Sequence, residues 1–212
     1  MEGGRLETKT AVKGAVIREA KGFIFDMDGT LLSISVDWPA VGAELARISG
    51  RSNFVPIFET IKEVLQTNPQ LRLPFFRVLD EFVLRQEPEA RLFEGSRETL
   101  ELLSRRGKIA LVTMQGPQVR DKILNRFDLA RFFQVLISRE DSIERSEQLA
   151  LAVAHLGLQK GEVVFVGDRI HDLNSAAKVG TSFVLMGERP GVNATSFPDM
   201  KALLAFLRSS GK

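Results

Sequence analysis

The chain has 212 residues, 44% of them hydrophobic and 26% charged, with 29 Lys and Arg against 27 Asp and Glu. These proportions fit a soluble globular chain large enough for one α/β domain with a substantial insertion, and they favour neither a disordered nor a membrane-embedded class. With no Cys there are no disulfides, thiolate nucleophiles or zinc ribbons; with only two His, a metal site must rely on oxygen donors, which favours magnesium or a similar hard cation.

The formal charge of +2 is spread along the chain rather than gathered on one element, so no nucleic-acid partner is expected. Residues 1–21 are mixed in charge and lack the apolar stretch of a secretory signal. No later run approaches the roughly 20 apolar residues of a membrane span. The expectation is a cytoplasmic protein with no membrane partner, monomeric or homodimeric. Residues 1–21 form either a disordered leader or an extra strand, in which Ala15-Val16-Ile17 pairs with a sheet edge.

The first apolar run, residues 22–25, ends at Asp26 and predicts a strand buried on both faces. About eighty residues separate it from the next run at 109–112, far more than a crossover helix needs, so something is inserted there. Within that stretch residues 39–49, 55–66 and 71–85 show apolar side chains at three- and four-residue spacing, with breakers near 50–53 and 68–69. They predict a small helical cap, slightly acidic, since seven basic and nine acidic residues lie between Ser33 and Glu94. Residues 96–106 predict the crossover helix that rejoins the core, with Ser96 as N-cap and Gly107 as stop. Strands at 133–137, 163–166 and 182–185 follow. The connecting helices fall at 118–127 and 146–156, the latter closed by Gly157. The expected architecture is α/β, a Rossmann-like doubly wound parallel sheet from residues 1–32 and 95–212, with a helical cap over 33–94 inserted after the first strand.

Asp26 and Asp28 fall at the C-terminal end of the first strand, the edge where open α/β sheets bind ligands. A bare Asp-x-Asp there also has an explanation in turn chemistry. The extended string Phe23-Ile24-Phe25-Asp26-Met27-Asp28-Gly29-Thr30-Leu31-Leu32 is far more specific, and it resembles the first motif of the haloacid dehalogenase-like hydrolases, whose members are mostly phosphatases. The resemblance implies a nucleophile at Asp26, which takes the phosphoryl group, and a general acid and base at Asp28. A carboxylate nucleophile divides one hard hydrolysis into two steps, and the leaving alkoxide needs a proton.

Three further segments extend the resemblance. Leu111-Val112-Thr113-Met114-Gln115-Gly116 is similar to the second motif, which implies that the Thr113 hydroxyl and the main chain at Met114 bind phosphate. Val166-Gly167-Asp168-Arg169-Ile170-His171-Asp172 resembles the fourth motif, which implies a Mg2+ site made by Asp168, the Asp26 side chain and the Asp28 carbonyl, with Asp172 in support. Asp172 as a helix cap is the competing explanation. The third motif departs from the pattern: Arg145 stands where the family has Lys. Arg keeps the charge but presents a larger planar fork, so Arg145 binds phosphate or shares that task with Arg139.

His171 and His155 are expected to be surface and structural residues. Trp38 is expected to anchor the first cap helix, with Asp37 beside it, and Arg47, Arg51, Arg72, Arg77 and Arg85 mostly to face solvent. There is no G-x-x-x-x-G-K-[ST], G-x-G-x-x-G or G-x-S-x-G, which removes nucleotide motors, dinucleotide oxidoreductases and serine hydrolases. The expected function is magnesium-dependent hydrolysis of a small phosphate monoester, such as phosphoglycolate or a sugar phosphate, through an aspartyl-phosphate. The alternatives are a phosphomutase on the same core, or a phosphate-binding regulatory protein with weak or lost catalysis.

Overall fold

The computed structural model describes Gly14 and residues 16–209. Its strands are β1 (Gly22–Asp26), β2 (Leu32–Ser33), β3 (Arg91–Leu92), β4 (Lys108–Val112), β5 (Val135–Ile137), β6 (Val163–Gly167), β7 (Ser182–Met186) and β8 (Thr195–Phe197). Six of them form one parallel sheet in the order β5-β4-β1-β6-β7-β8, and β2 pairs antiparallel with β3. All five strands read from the apolar runs are present. The sixth, β8, escaped notice because Thr195-Ser196-Phe197 has only one large apolar residue and lies at the sheet edge.

The longer helices are α1 (Trp38–Ser49), α2 (Ile57–Thr67), α3 (Arg72–Gln86), α4 (Ser96–Ser104), α5 (Pro117–Arg126), α6 (Arg145–Leu156), α7 (Ile170–Val179) and α8 (Met200–Ser209). Alternation along the strands explains why helices cover both faces. Phe23, Phe25, Ile109, Leu111, Val164 and Val166 face one layer, where they join Leu100 and Leu103 of α4, Val119 and Ile123 of α5, and Leu203 and Leu207 of α8. Ile24, Ala110, Val112, Val163 and Phe165 face the other, against Leu149, Ala152 and Leu156 of α6 and Ala176 of α7.

Helices α1 to α3 make a separate apolar cluster of Val41, Leu45, Phe54, Ile61, Phe75 and Leu79. The Asp37 carboxylate caps α1 by accepting from the Ala40 N–H at 3.0 Å, and Gly50 ends it at φ 73 in the left-handed region. Pairing of Leu32 with Leu92 brings the two ends of this insertion together beside β1. Two ionic joints, each built on one buried charge, fasten its far end to the sheet domain. Arg139, 1% exposed, reaches Asp80 of α3 at 2.6 Å, donates to the Phe76 carbonyl at 2.8 Å and to the Met114 carbonyl at 3.2 Å, and lies over the Phe76 ring. Glu87, just beyond α3, meets Lys122 at 3.0 Å and Arg126 at 3.1 Å, both on α5.

Three local expectations need correction. Ser96 is not the N-cap of α4. Gly95 holds that place at φ 88, against the backbone of Met200 and Lys201 where an added Cβ would lie 3.0 Å from Lys201 Cα, and Ser96 Oγ instead donates to the Leu31 carbonyl at 2.8 Å. Gly107 does not stop the helix, which ends at Ser104. Its lack of a side chain serves the close approach of the Lys21 carbonyl, 2.4 Å from where a Cβ would sit. Val16 and Ile17 are helical rather than an edge strand, with Ile17 buried in the first core layer; Ala15 and residues 1–13 lie outside the described residues.

Candidate active site

Asp26 ends β1, and β1 lies where the strand order reverses, because the chain goes from β1 to β4 and β5 on one side and returns to β6 on the other. Such a switch point leaves a crevice at the C-terminal strand edge. The tips of β1, β4 and β6 therefore deliver Asp26 and Asp28, Thr113 and Met114, and Asp168 and Asp172 to one place. The carboxylate oxygens of Asp26, Asp168 and Asp172 lie within 4.8 Å of one another. Gly29 closes the turn after β1 at φ 80, and a Cβ there would sit 2.4 Å from Asp168 Oδ2, so this turn admits glycine alone.

Arg145, the first residue of α6, enters this acidic group. Its Nη2 donates to Asp26 Oδ1 at 2.9 Å and its Nε lies 3.1 Å from Asp172 Oδ1. Asp172 also caps α7, as its Oδ2 accepts from the Arg169 N–H at 3.2 Å, so the structural and ionic roles of this residue coexist. Burial drives Asp26 well above the usual carboxylate range, although the Arg145 charge pulls it down. Asp28 is raised by burial against a hydrogen bond from Gln115, and Asp168 by burial against Arg169. Burial alone would lower Arg145, but the charges of Asp26 and Asp172 prevail and hold it above its ordinary value.

Arg145, and Arg169 at 4.0 Å from Asp168, are two cations for Asp26, Asp28, Asp168 and Asp172, which leaves negative charge uncompensated in a low-dielectric site. Asp28 Oδ1 and Asp168 Oδ1 are buried and accept no hydrogen bond within the protein. Hard oxygen donors with unsatisfied lone pairs and excess negative charge suit a divalent cation such as Mg2+. The Asp28 carboxylate stands outside the three-acid cluster, held through Oδ2 by Gln115 Nε2 at 3.0 Å.

A cavity of about 230 Å³ opens on this group, bounded on the sheet side by Asp26, Asp28, Met114, Gln115, Arg145 and Arg169. Thr113 does not line it. It is wholly buried, and its Oγ accepts the Gln115 N–H at 3.1 Å, which shapes the loop that carries Met114 and Gln115. Arg139 makes no bond to Asp26 and is committed to Asp80 and two carbonyls. Trp38 lines the cavity and meets Phe58 edge-on at 6.1 Å. His155 and His171 are exposed and do not line it. Of the insertion arginines, Arg47 pairs with Glu44, Arg51 with Glu63, Arg72 with Glu140 and Arg85 with Glu81, Arg77 is exposed, and none lines the cavity.

Gln115 and Gln148 carry no motif signal of their own. Gln148 accepts from Arg145 Nη1 at 2.9 Å and donates to the Thr113 carbonyl at 3.1 Å, and so ties the start of α6 to the β4 loop. Its position three residues after Arg145 on one helix face was the available clue.

A sequence profile described as haloacid dehalogenase-like hydrolase matches residues 20–180. An N-acetylmuramic acid 6-phosphate phosphatase from Pseudomonas aeruginosa is 28% identical over 182 residues, 76% of this chain and 79% of its own. A phosphoglycolate phosphatase from Yersinia pseudotuberculosis is 28% identical over 204 residues, 84% of this chain and 87% of its own. Among solved structures, a HAD phosphatase from Thermococcus onnurineus superposes with a TM-score of 0.61 at 25% identity, covering 88% of this chain and 97% of its own. With its profile spanning most of the sequence and its acidic strand tips converging at the switch point, this chain belongs to the haloacid dehalogenase-like hydrolase family.

Proposed function

We propose that the chain hydrolyses a small phosphate monoester through an aspartyl-phosphate, with Asp26 as nucleophile and Asp28 as general acid and base. The observation that carries this reading is the meeting of Asp26, Asp168 and Asp172 within 4.8 Å while Arg145 pairs with two of them. That grouping can receive a dianionic phosphoryl group only when further positive charge accompanies it. Asp26, Asp168 and Asp172 would hold magnesium, to which the family resemblance adds the Asp28 carbonyl, and the ion supplies charge compensation between phosphate and nucleophile.

In the first step an Asp26 oxygen forms a bond to phosphorus as the ester P–O bond breaks, and the Asp28 proton passes to the departing alkoxide. In the second, ionised Asp28 takes a proton from water as the water oxygen attacks phosphorus, and inorganic phosphate leaves with the Asp26 carboxylate restored. Arg145 binds phosphoryl oxygens, and Thr113 orders the Met114–Gln115 loop beside them. Residues 33–94 act as a cap, and their cover over the cavity restricts the substrate to small molecules. A cytoplasmic setting fits the absence of cysteine.

Phosphate release from a broad panel of monoesters tests the reading. It is expected to need added magnesium and to fall to the uncatalysed background in Asp26→Asn. Continued turnover by that variant refutes the nucleophile assignment.

A further inference from the structure

The two sides of the Asp26 cavity differ in chemistry. The sheet side carries all of its charge, in Asp26, Asp28, Arg145 and Arg169. The insertion and its entry strand contribute Ser33, Ile34, Val36, Trp38 and Phe58, which include no ionisable group and one hydroxyl. Trp38 is 36% exposed, the one aromatic among the exposed large hydrophobics of the described residues, and it stands edge-on to Phe58 at the cavity wall. An aromatic pair of this kind, left open toward a cavity of about 230 Å³, offers a face for a ring-sized apolar group. That volume is below the roughly 300–1,000 Å³ typical of drug-sized ligand sites, which restricts the body to something compact.

With Asp26 and Arg145 at the phosphoryl end, the alcohol portion must face this second wall. A carboxylate or a second phosphate there would lose its hydration against apolar side chains with no cation from the insertion to meet it. Arg47, Arg51, Arg72 and Arg85 pair with acids elsewhere, and Arg169, on the sheet side, lies 4.0 Å from Asp168. A polyhydroxylated sugar would find on this wall only the Ser33 hydroxyl and the Trp38 indole N–H, and each hydroxyl left unpaired costs about tenfold or more in affinity. Resting on the phosphatase reading above, we infer that the favoured substrate is the phosphate monoester of a compact, uncharged alcohol with an apolar, ring-sized body, seated against Ile34, Val36, Trp38 and Phe58.

The experiment compares kcat/KM of the full chain with magnesium for benzyl phosphate, 2-phosphoglycolate and glucose 6-phosphate, with 4-nitrophenyl phosphate as a general reporter of phosphatase activity. Benzyl alcohol, glycolate and glucose all leave as alkoxides, so differences among them report on recognition. The expected result is at least a tenfold preference for benzyl phosphate over both others. Trp38→Arg is expected to lower the ratio of benzyl phosphate to 2-phosphoglycolate about tenfold, and Phe58→Leu to lower it less. Equal or better turnover of 2-phosphoglycolate or glucose 6-phosphate by the unaltered chain overturns the inference and leaves the phosphatase reading intact. No magnesium-dependent release from any ester, 4-nitrophenyl phosphate included, overturns both.

Discussion

Arg145 and Arg139 are both buried, both close to the loop after β4, and six residues apart, yet their surroundings differ in kind. Arg145 faces Asp26 and Asp172, two acids of a cluster with more negative charge than it can balance. Arg139 meets Asp80 at 2.6 Å and two carbonyls, with Glu140 farther off at 4.0 Å, and the Phe76 ring covers its guanidinium. The first neighbourhood has carboxylate oxygens to spare for another cation. The second is closed upon itself and joins α3 to the Met114 loop. On the proposed mechanism, a buried arginine serves a reacting group or acts as a tether according to whether its partners leave charge over.

Removing each arginine separates the two roles. Arg145→Ala is expected to lower kcat about a thousandfold, the scale for loss of a key charge donor at a reacting group, while Arg145→Lys recovers most of the rate in steady-state phosphate release. An alanine variant with near-normal turnover would make Arg145 another tether. Arg139→Ala is expected to cost about 3 kcal/mol of stability, because Asp80 and two carbonyls lose their donor, which corresponds to a fall in Tm of about 6–12 °C on thermal unfolding. An unchanged Tm would contradict the tether.

The smallest expected effect concerns the second joint. Glu87 is held below the ordinary carboxylate range: burial would raise it, but hydrogen bonds and charge from Lys122 and Arg126 prevail. A depressed folded-state value means stabilisation that is full above the unfolded carboxyl's titration near 4.5 and is lost as the pH falls through the folded one. Glu87→Gln is therefore expected to destabilise by about 1 kcal/mol at pH 7, discounted because both basic partners are partly exposed, with the deficit vanishing in acid. Urea unfolding across that range measures it, and a deficit independent of pH would show that shape, not charge, makes this joint.

The acidic strand tips were legible because each follows an apolar run, and a run of apolar residues closed by Asp or Thr marks the end of a buried parallel strand. The helices of the insertion were legible to within two residues from their three- and four-residue spacing. Thr113 was recognised in its motif, but its burial behind Met114 was not, since a strand-end hydroxyl can turn toward the ligand or back into its own loop. Ser96 misled because local capping preference favours Ser over Gly, whereas the approach of the α8 backbone requires the glycine before it to have no side chain.

By itself the sequence determined the α/β alternation, the site of the long insertion and the residues at the sheet's C-terminal edge, because these depend on local periodicity and on which side chains end each strand. Only the tertiary structure decided which arginine meets Asp26, that Gln115 holds Asp28, and that the wall opposite the acids is apolar. Those outcomes depend on contacts between segments as far as 119 residues apart. No local propensity encodes the direction in which a long side chain such as arginine will reach across such a distance.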